Sequence, residues 1–191
     1  MQDPPRAGKP IDGQAGQTVH TRAMKSSKIA YILLFALVLA AAAQFLYLFG
    51  DLPGRVATRF DEAGQPEQTL HKAAFAAFYL GVTAFFAIYG IVARTHARKL
   101  PDRYLKIIPS HAHWLAPERR AETMAWISGA LVWVAVLTLA LFAGTFTFIM
   151  LANVGRSVSG LSTILSFMNT IYLTALFFLV IAFRKRFHLH K

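Results

Sequence analysis

IAYILLFALVLAAAAQFLYLF occupies positions 29–49, and none of its residues carries a charge. A helix of that length rises about 30 Å, the thickness of a bilayer's hydrocarbon core. A signal peptide cleaved after Ala43 is the rival reading. The long polar segment before the run, and its apolar continuation through Phe49, argue against cleavage. Three more apolar runs follow, at about 73–93, 125–150 and 161–183. The four runs define the fold class expected: an all-α membrane protein with four transmembrane helices.

The composition agrees. Of 191 residues, 55% are hydrophobic and only 15% charged, against about 25% charged in average soluble domains. Mean hydropathy is +0.45. The net charge of +11 fits the retention of Lys and Arg on one side of a membrane better than binding to nucleic acid, for which no motif is present. Cysteine is absent, which excludes disulfides, thiol catalysis and Cys-ligated zinc.

The basic residues also set the expected topology. If all four runs cross, the first, third and fifth polar segments hold sixteen of the 20 Lys and Arg. Only Arg55, Arg59, Lys72 and Arg156 fall in the second and fourth. The positive-inside rule then puts both termini in the cytoplasm and the segment between the first two spans outside. Residues 1–28 read as a disordered basic tail, and 184–191 as a second basic tail.

Within the runs there is no Asp, Glu, Lys, Arg or His, which argues against a proton relay or ion-coupled pump. Small residues recur at spacing four, as in Ala36 and Ala40, Ala73, Ala77 and Gly81, and Ala140 and Gly144. Such stripes let helices approach closely. A polar stripe of Gln44, Ser162, Ser166, Asn169, Thr170 and Thr174 is expected to face protein, through interhelical hydrogen bonds or bonds to the helix's own carbonyls.

The segment between the first two runs is unlike its flanks. RVATRF, residues 55–60, alternates and reads as extended. DEAGQP has turn chemistry: Asp61 bonds local backbone, Gly64 permits positive φ and Pro66 fixes φ. Thr69 is the expected N-cap of the second helix, with Glu67 favouring its N-terminus electrostatically. Arg59 has Asp61, Glu62 or a lipid phosphate as candidate partners. The whole reads as a short, structured extracytoplasmic hairpin.

LPGRVATRFDEAGQPEQTLHK, residues 52–72, resembles the signature of a family of small bacterial membrane proteins. This is the domain-of-unknown-function 1648 family, related to the N-terminal part of SdpI-type immunity proteins. The pattern reads roughly LP-x-x-[VI]-P-x-H-[FW]-[ND]-x-x-G-x-P-[DE]-x-W-x-x-K. Leu52, Pro53, Val56, Phe60, Asp61, Gly64, Pro66, Glu67 and Lys72 match it. Ala57, Arg59 and Thr69 stand where Pro, His and Trp are usual. A second stretch, HWLAPERRAET at 113–123, is similar to the YWLAPERR segment of single-domain members. With the four-span layout, the resemblance covers most of the chain after Lys28. It implies a protein in immunity, envelope sensing or signalling, acting through an outer loop of Pro53, Arg59, Phe60, Asp61, Gly64, Pro66, Glu67 and Lys72. The candidate inner-loop motif is Trp114, Pro117, Glu118, Arg119 and Arg120, with Pro117 opening a helix. Leu105, Ile107, Ile108, Trp114 and Leu115 of that loop read as residues of the inner headgroup layer.

No P-loop, zincin, dinucleotide or hydrolase motif is present, and no carboxylate pair is placed for acid–base work. His111 with His113, and His188 with His190, lack the further ligands that a metal site needs. The expectation is a non-enzymatic protein of the bacterial cytoplasmic membrane without cofactor. Besides the bilayer, its candidate partners are an extracytoplasmic peptide or protein, a cytoplasmic regulator, or a second copy of itself. A transport or pore subunit and a structural accessory subunit are the alternatives.

Overall fold

The computed structural model describes residues 12–61, 65–96, 101, 105–106, 108, 110–155 and 160–187. Residues 1–11 and 188–191 of the expected tails, Glu62, Gly64, Ile107 and the side chain of Ser162 lie outside the described residues. The elements are α1 (Asp12–Phe49), β1 (Arg55–Phe60), β2 (Pro66–His71), α2 (Lys72–His96), α3 (His111–Trp114), α4 (Pro117–Asn153) and α5 (Leu161–Phe187).

Four helices are long and apolar enough to cross a membrane: α1 over Lys28–Phe49, α2 over Lys72–Ala93, α4 over its whole length and α5 over Thr163–Phe187. The spans read from sequence agree with these to within a few residues, except that α4 extends past its run at both ends. Two expectations are corrected. Residues 12–28 are helical rather than a disordered tail. No proline follows Pro10 in this stretch, so a helix nucleated in the apolar run continues backward through Ala, Gln, Met, Lys and Arg. The fold is also not purely α, because β1 and β2 form an antiparallel hairpin.

α4 is the central post. It packs against α1, α2, α3, α5 and β1, and its 37 residues rise about 55 Å. The excess over a bilayer core carries its first turns to one end of the bundle and Asn153 to the hairpin at the other. α1 meets it through Ala30, Leu34, Ala41, Phe45 and Leu48, all buried. These positions repeat in steps of three, four and seven, the spacing of a left-handed seam. The answering face of α4 holds Val132, Ala135, Val136, Leu139, Ala143 and Met150. Ala36 and Ala40, and likewise Ala73, Ala77 and Gly81, are exposed, so those small-residue stripes do not form this core.

Aromatic rings fill the hairpin half. Tyr79 stacks on Phe45 with ring centroids 5.0 Å apart and lies 5.4 Å from Phe142. Its hydroxyl donates to Ala41 O at 3.2 Å. A buried hydroxyl in lipid must find such an acceptor inside the protein. At the other end, Ser128 Oγ donates to Ala93 O at 3.2 Å and lies 3.0 Å from the Tyr31 hydroxyl. One serine thereby links α1, α2 and α4.

Gly90 is where α2 crosses α1. A Cβ there would lie 2.7 Å from Leu34 Cδ2, and Leu34 is fully buried. Gly90→Val is therefore expected to destabilise the bundle by about 1–3 kcal/mol, read as a lower midpoint of denaturant unfolding in detergent. Gly81→Val, whose Cβ would meet open space, is the control and is expected to leave the midpoint within about 0.5 kcal/mol.

Candidate functional site: a hairpin seated on the helix ends

RVATRF forms a strand because its branched and aromatic residues suit an extended, half-buried surface. Val56 leaves no exposed area and packs with Leu52, Phe75, Tyr79 and Met150. Simple alternation then predicts Ala57 on the outer face, yet Ala57 is 4% exposed. The cause is Asn153, the last residue of α4. Its Oδ1 accepts the Ala57 N–H at 2.7 Å, and its Nδ2 donates to Ala57 O at 2.8 Å and to Ile149 O at 2.8 Å. The Asn153 amide thus stands where a third strand would pair and closes the outer edge of β1.

The register runs Arg55 to His71, Val56 to Leu70 and Ala57 to Thr69, then slips so that Arg59 faces Gln68 and Phe60 faces Pro66. Thr58 and Glu67 are the unpaired extras of two opposed bulges, so the slip in one strand is undone in the other. The turn is closed by Asp61, as its side-chain chemistry implies: Oδ1 accepts the Gln65 N–H at 2.7 Å, and Asp61 N–H donates to Gln65 O at 2.9 Å.

Three local expectations are corrected. Thr69 is a strand residue, not an N-cap. α2 begins at Lys72, and His71 Nδ1 accepts the Ala73 N–H at 3.3 Å. Glu67 does not attend the helix N-terminus, because its Oε2 lies 2.8 Å from Arg59 Nε in an exposed ion pair. Arg59 accordingly pairs with Glu67 across the hairpin rather than with Asp61.

Lys72 is the second clamp. Its Nζ donates to Leu52 O at 2.8 Å and Gly50 O at 3.4 Å, and sits 4.6 Å from the centroid of the Phe49 ring. A cation on the free carbonyls beyond a helix C-terminus is favourable, and the aromatic face adds to it. Pro53 and Pro66 are exposed and Phe60 is half-buried. All six residues of β2 are exposed.

At the opposite end, the inner-loop motif is a second seat. Pro117 opens α4, with Glu118 in its first turn. Trp114 Nε1 donates to Phe187 O at 3.2 Å, and its ring lies beneath the Arg186 guanidinium at 4.7 Å. Arg186 also pairs with Glu122, and Thr123 Oγ1 donates to Trp114 O at 2.9 Å. Arg119 lies against the His113 ring, and Arg120 is half-buried. Leu105 and Ile108 are buried with Met124 and Phe187, so their side chains pack on protein.

The polar stripe is divided. Gln44 bonds Thr147 across α1 and α4, as expected of an interhelical group. Ser166, Asn169, Thr170 and Thr174 are exposed on α5 rather than turned toward another helix of the chain, and two of them take the alternative of bonding their own helix's carbonyls. Asn169 Nδ2 bonds Leu165 O at 3.1 Å and Thr170 Oγ1 bonds Ser166 O at 2.9 Å. Among the described residues, no group of three or more His, Asp or Glu side chains is placed to hold a metal ion.

No family model, curated protein or solved structure matches this chain. The resemblance at 52–72 and 113–123 thus stands on the quoted residues alone. What the sequence missed is Asn153. Its one signal is a polar amide ending a long apolar run.

Replacing Asn153 by Ala leaves two buried backbone groups of Ala57 unanswered, at about 1–3 kcal/mol each. Hydrogen exchange read on peptides covering 55–60 is expected to speed up by an order of magnitude or more. Asn153→Asp, which keeps the acceptor and loses the donor, is expected to fall between Asn and Ala.

Proposed function

We propose that this chain is a small, non-enzymatic multi-pass protein of the bacterial cytoplasmic membrane, of SdpI-like type. In this reading both termini are cytoplasmic, and the hairpin meets an extracytoplasmic peptide or protein in immunity or envelope sensing. The observation that carries it is the combination of a firmly seated hairpin with a second strand whose six residues are all exposed. A plain connector needs no exposed, ordered strand. A recognition element does, because a preorganised surface loses little entropy when a partner docks.

The charge pattern supports the same orientation. Lys106, Arg119, Arg120, Arg184, Lys185 and Arg186 gather in the segments opposite the hairpin, the side that the positive-inside rule assigns to the cytoplasm. The resemblance at 52–72 supports the immunity or sensing class. The absence of charged side chains from the four apolar runs weighs against an ion-coupled pump.

Two measurements test the reading. Single cysteines at Gln65, Ser110 and Lys191 are labelled in intact cells with a membrane-impermeant thiol reagent. Labelling at Gln65 alone is expected; labelling at Ser110 or Lys191 would invert the topology and sink an outward-facing hairpin. In a strain dependent on this protein for resistance to a secreted peptide, Arg59→Ala with Glu67→Ala is expected to raise sensitivity at least tenfold with membrane abundance unchanged. The ion pair is exposed and worth about 0–1 kcal/mol, so the hairpin survives its loss. Parallel loss of abundance and resistance would make the hairpin a connector.

A further inference from the structure

We propose that α5 is a homodimerisation helix. Two copies of the chain pack through a seam of Ser166, Asn169, Leu173, Phe177 and Val180, and the Asn169 carboxamide bonds its counterpart in the second copy. The inference rests on the reading that α5 crosses a bilayer.

The rotation of α5 is set by what faces α4. The Tyr172 hydroxyl lies 3.1 Å from Thr138 Oγ1. The Met168 side chain occupies the space above Gly144 where a Cβ would stand. Phe183 lies 5.7 Å from the Trp126 ring. With 3.6 residues per turn, this rotation leaves the five seam residues away from α4. All five are exposed, and no residue in the most apolar stretch of α5 is buried.

Exposed Leu, Phe and Val on a membrane helix need no explanation, since lipid covers them. Asn169 does. It lies six residues from Ala175, the midpoint of Thr163–Phe187, or about 9 Å along the helix. That is inside the ~15 Å half-thickness of a hydrocarbon core. Its one hydrogen bond, from Nδ2 to Leu165 O, leaves Oδ1 and the second amide hydrogen facing a medium that supplies neither donor nor acceptor. Thr170, by contrast, is answered by the carbonyl of Ser166.

The chemistry of the unanswered group selects the occupant. A carboxamide is donor and acceptor together, so two identical ones across a two-fold axis complete each other. A second copy meets that need without any polar group from elsewhere. The steps along the seam are three, four, four and three residues, the period of a left-handed helix pair. The chain uses the same spacing where α1 packs on α4 through Ala30, Leu34, Ala41, Phe45 and Leu48. An asparagine at one seam position also fixes register and oligomeric state.

The absence of native cysteine makes the test direct. Single cysteines are placed at Ser166, Leu173, Phe177 and Val180, which keep Asn169, and on the other exposed side of α5 at Phe167, Ile171 and Phe178. The full chain is then oxidised in its native membrane with a copper catalyst. The seam positions are expected to give disulfide dimers at about tenfold the yield of the other three. In the Leu173→Cys background, Asn169→Leu is expected to lower dimer yield about threefold or more, and Asn169→Gln to retain it. Uniform or absent cross-linking with sites shielded from a water-soluble maleimide would overturn the homodimer. A cross-linked product of another mass would assign the seam to a different protein and overturn it equally. Strong maleimide labelling at 171 and 173 would show that α5 is not in lipid, which defeats the spanning reading itself.

Discussion

The side-chain amide of Asn153 answers both polar groups of Ala57 and one carbonyl of its own helix, and the placement of the hairpin follows from it. Ala57 is buried, so its N–H and C=O have no access to water, and each left alone costs about 1–3 kcal/mol. With β1 fixed by the end of α4, the paired register fixes β2. The end of β2 then fixes where α2 starts. Lys72, the first residue of α2, turns back to the carbonyls of Gly50 and Leu52 after the end of α1. Three helix ends are thereby joined through six residues of strand. The hairpin is the part that holds α1, α2 and α4 in register, and its exposed strand β2 is available because β1, through the buried Val56 and Ala57, carries that duty.

The same rule of internal satisfaction operates along the rest of the bundle. Among the described residues, the buried polar side chains find partners, and between helices these are Tyr31 with Ser128, Tyr79 with Ala41 O, Gln44 with Thr147 and Thr138 with Tyr172. Individually such bonds average about 0.6 kcal/mol in membranes. Their value lies in direction, because apolar side chains gain little by choosing protein over lipid. The hydroxyls and amides therefore decide which face of each helix turns inward, and close packing at Gly90 against Leu34 and Phe35 sets how near the helices come.

That division explains what could be read from the sequence. The spans were legible because charge is excluded from about 20 consecutive residues whatever the helices do next. The extended character of 55–60 and the turn chemistry of Asp61 were legible because both are local. The inward faces were not. In a soluble protein the hydrophobic period marks the core, whereas here both faces are apolar, and Ala36 with Ala40 satisfies a packing pattern as well as Leu34 with Ala41 does. Asn153 was illegible for another reason: its partner lies 96 residues away. β2 was misread at Thr69 because a short polar stretch before an apolar run fits a helix start as well as a strand, and only pairing with β1 decides. The inner motif was read for its helix start, while the docking of Trp114 on Phe187 O depends on the far end of the chain.

The exposed polar stripe of α5 follows from how that helix is fastened. Turned by half a revolution, α5 would bring Ser166 and Thr170 against α4, and a turn of about 80° would bring Asn169 there. The fastenings oppose either turn at every level. At one end, Trp114 holds Phe187 O and Glu122 holds Arg186, and Phe187 is buried with Leu105, Ile108 and Met124. In the middle, Tyr172 meets Thr138, and Met168 fills the hollow over Gly144. Rotation would empty that hollow, put an aromatic hydroxyl into lipid and lift a fully buried phenylalanine out of its cluster. Losing the packing of one large buried side chain alone costs on the order of 3–5 kcal/mol, several times what a single interhelical amide bond returns. The chain keeps its polar face outward because its own core outweighs it, and in the proposed homodimer a second copy of that face would satisfy it without disturbing the core.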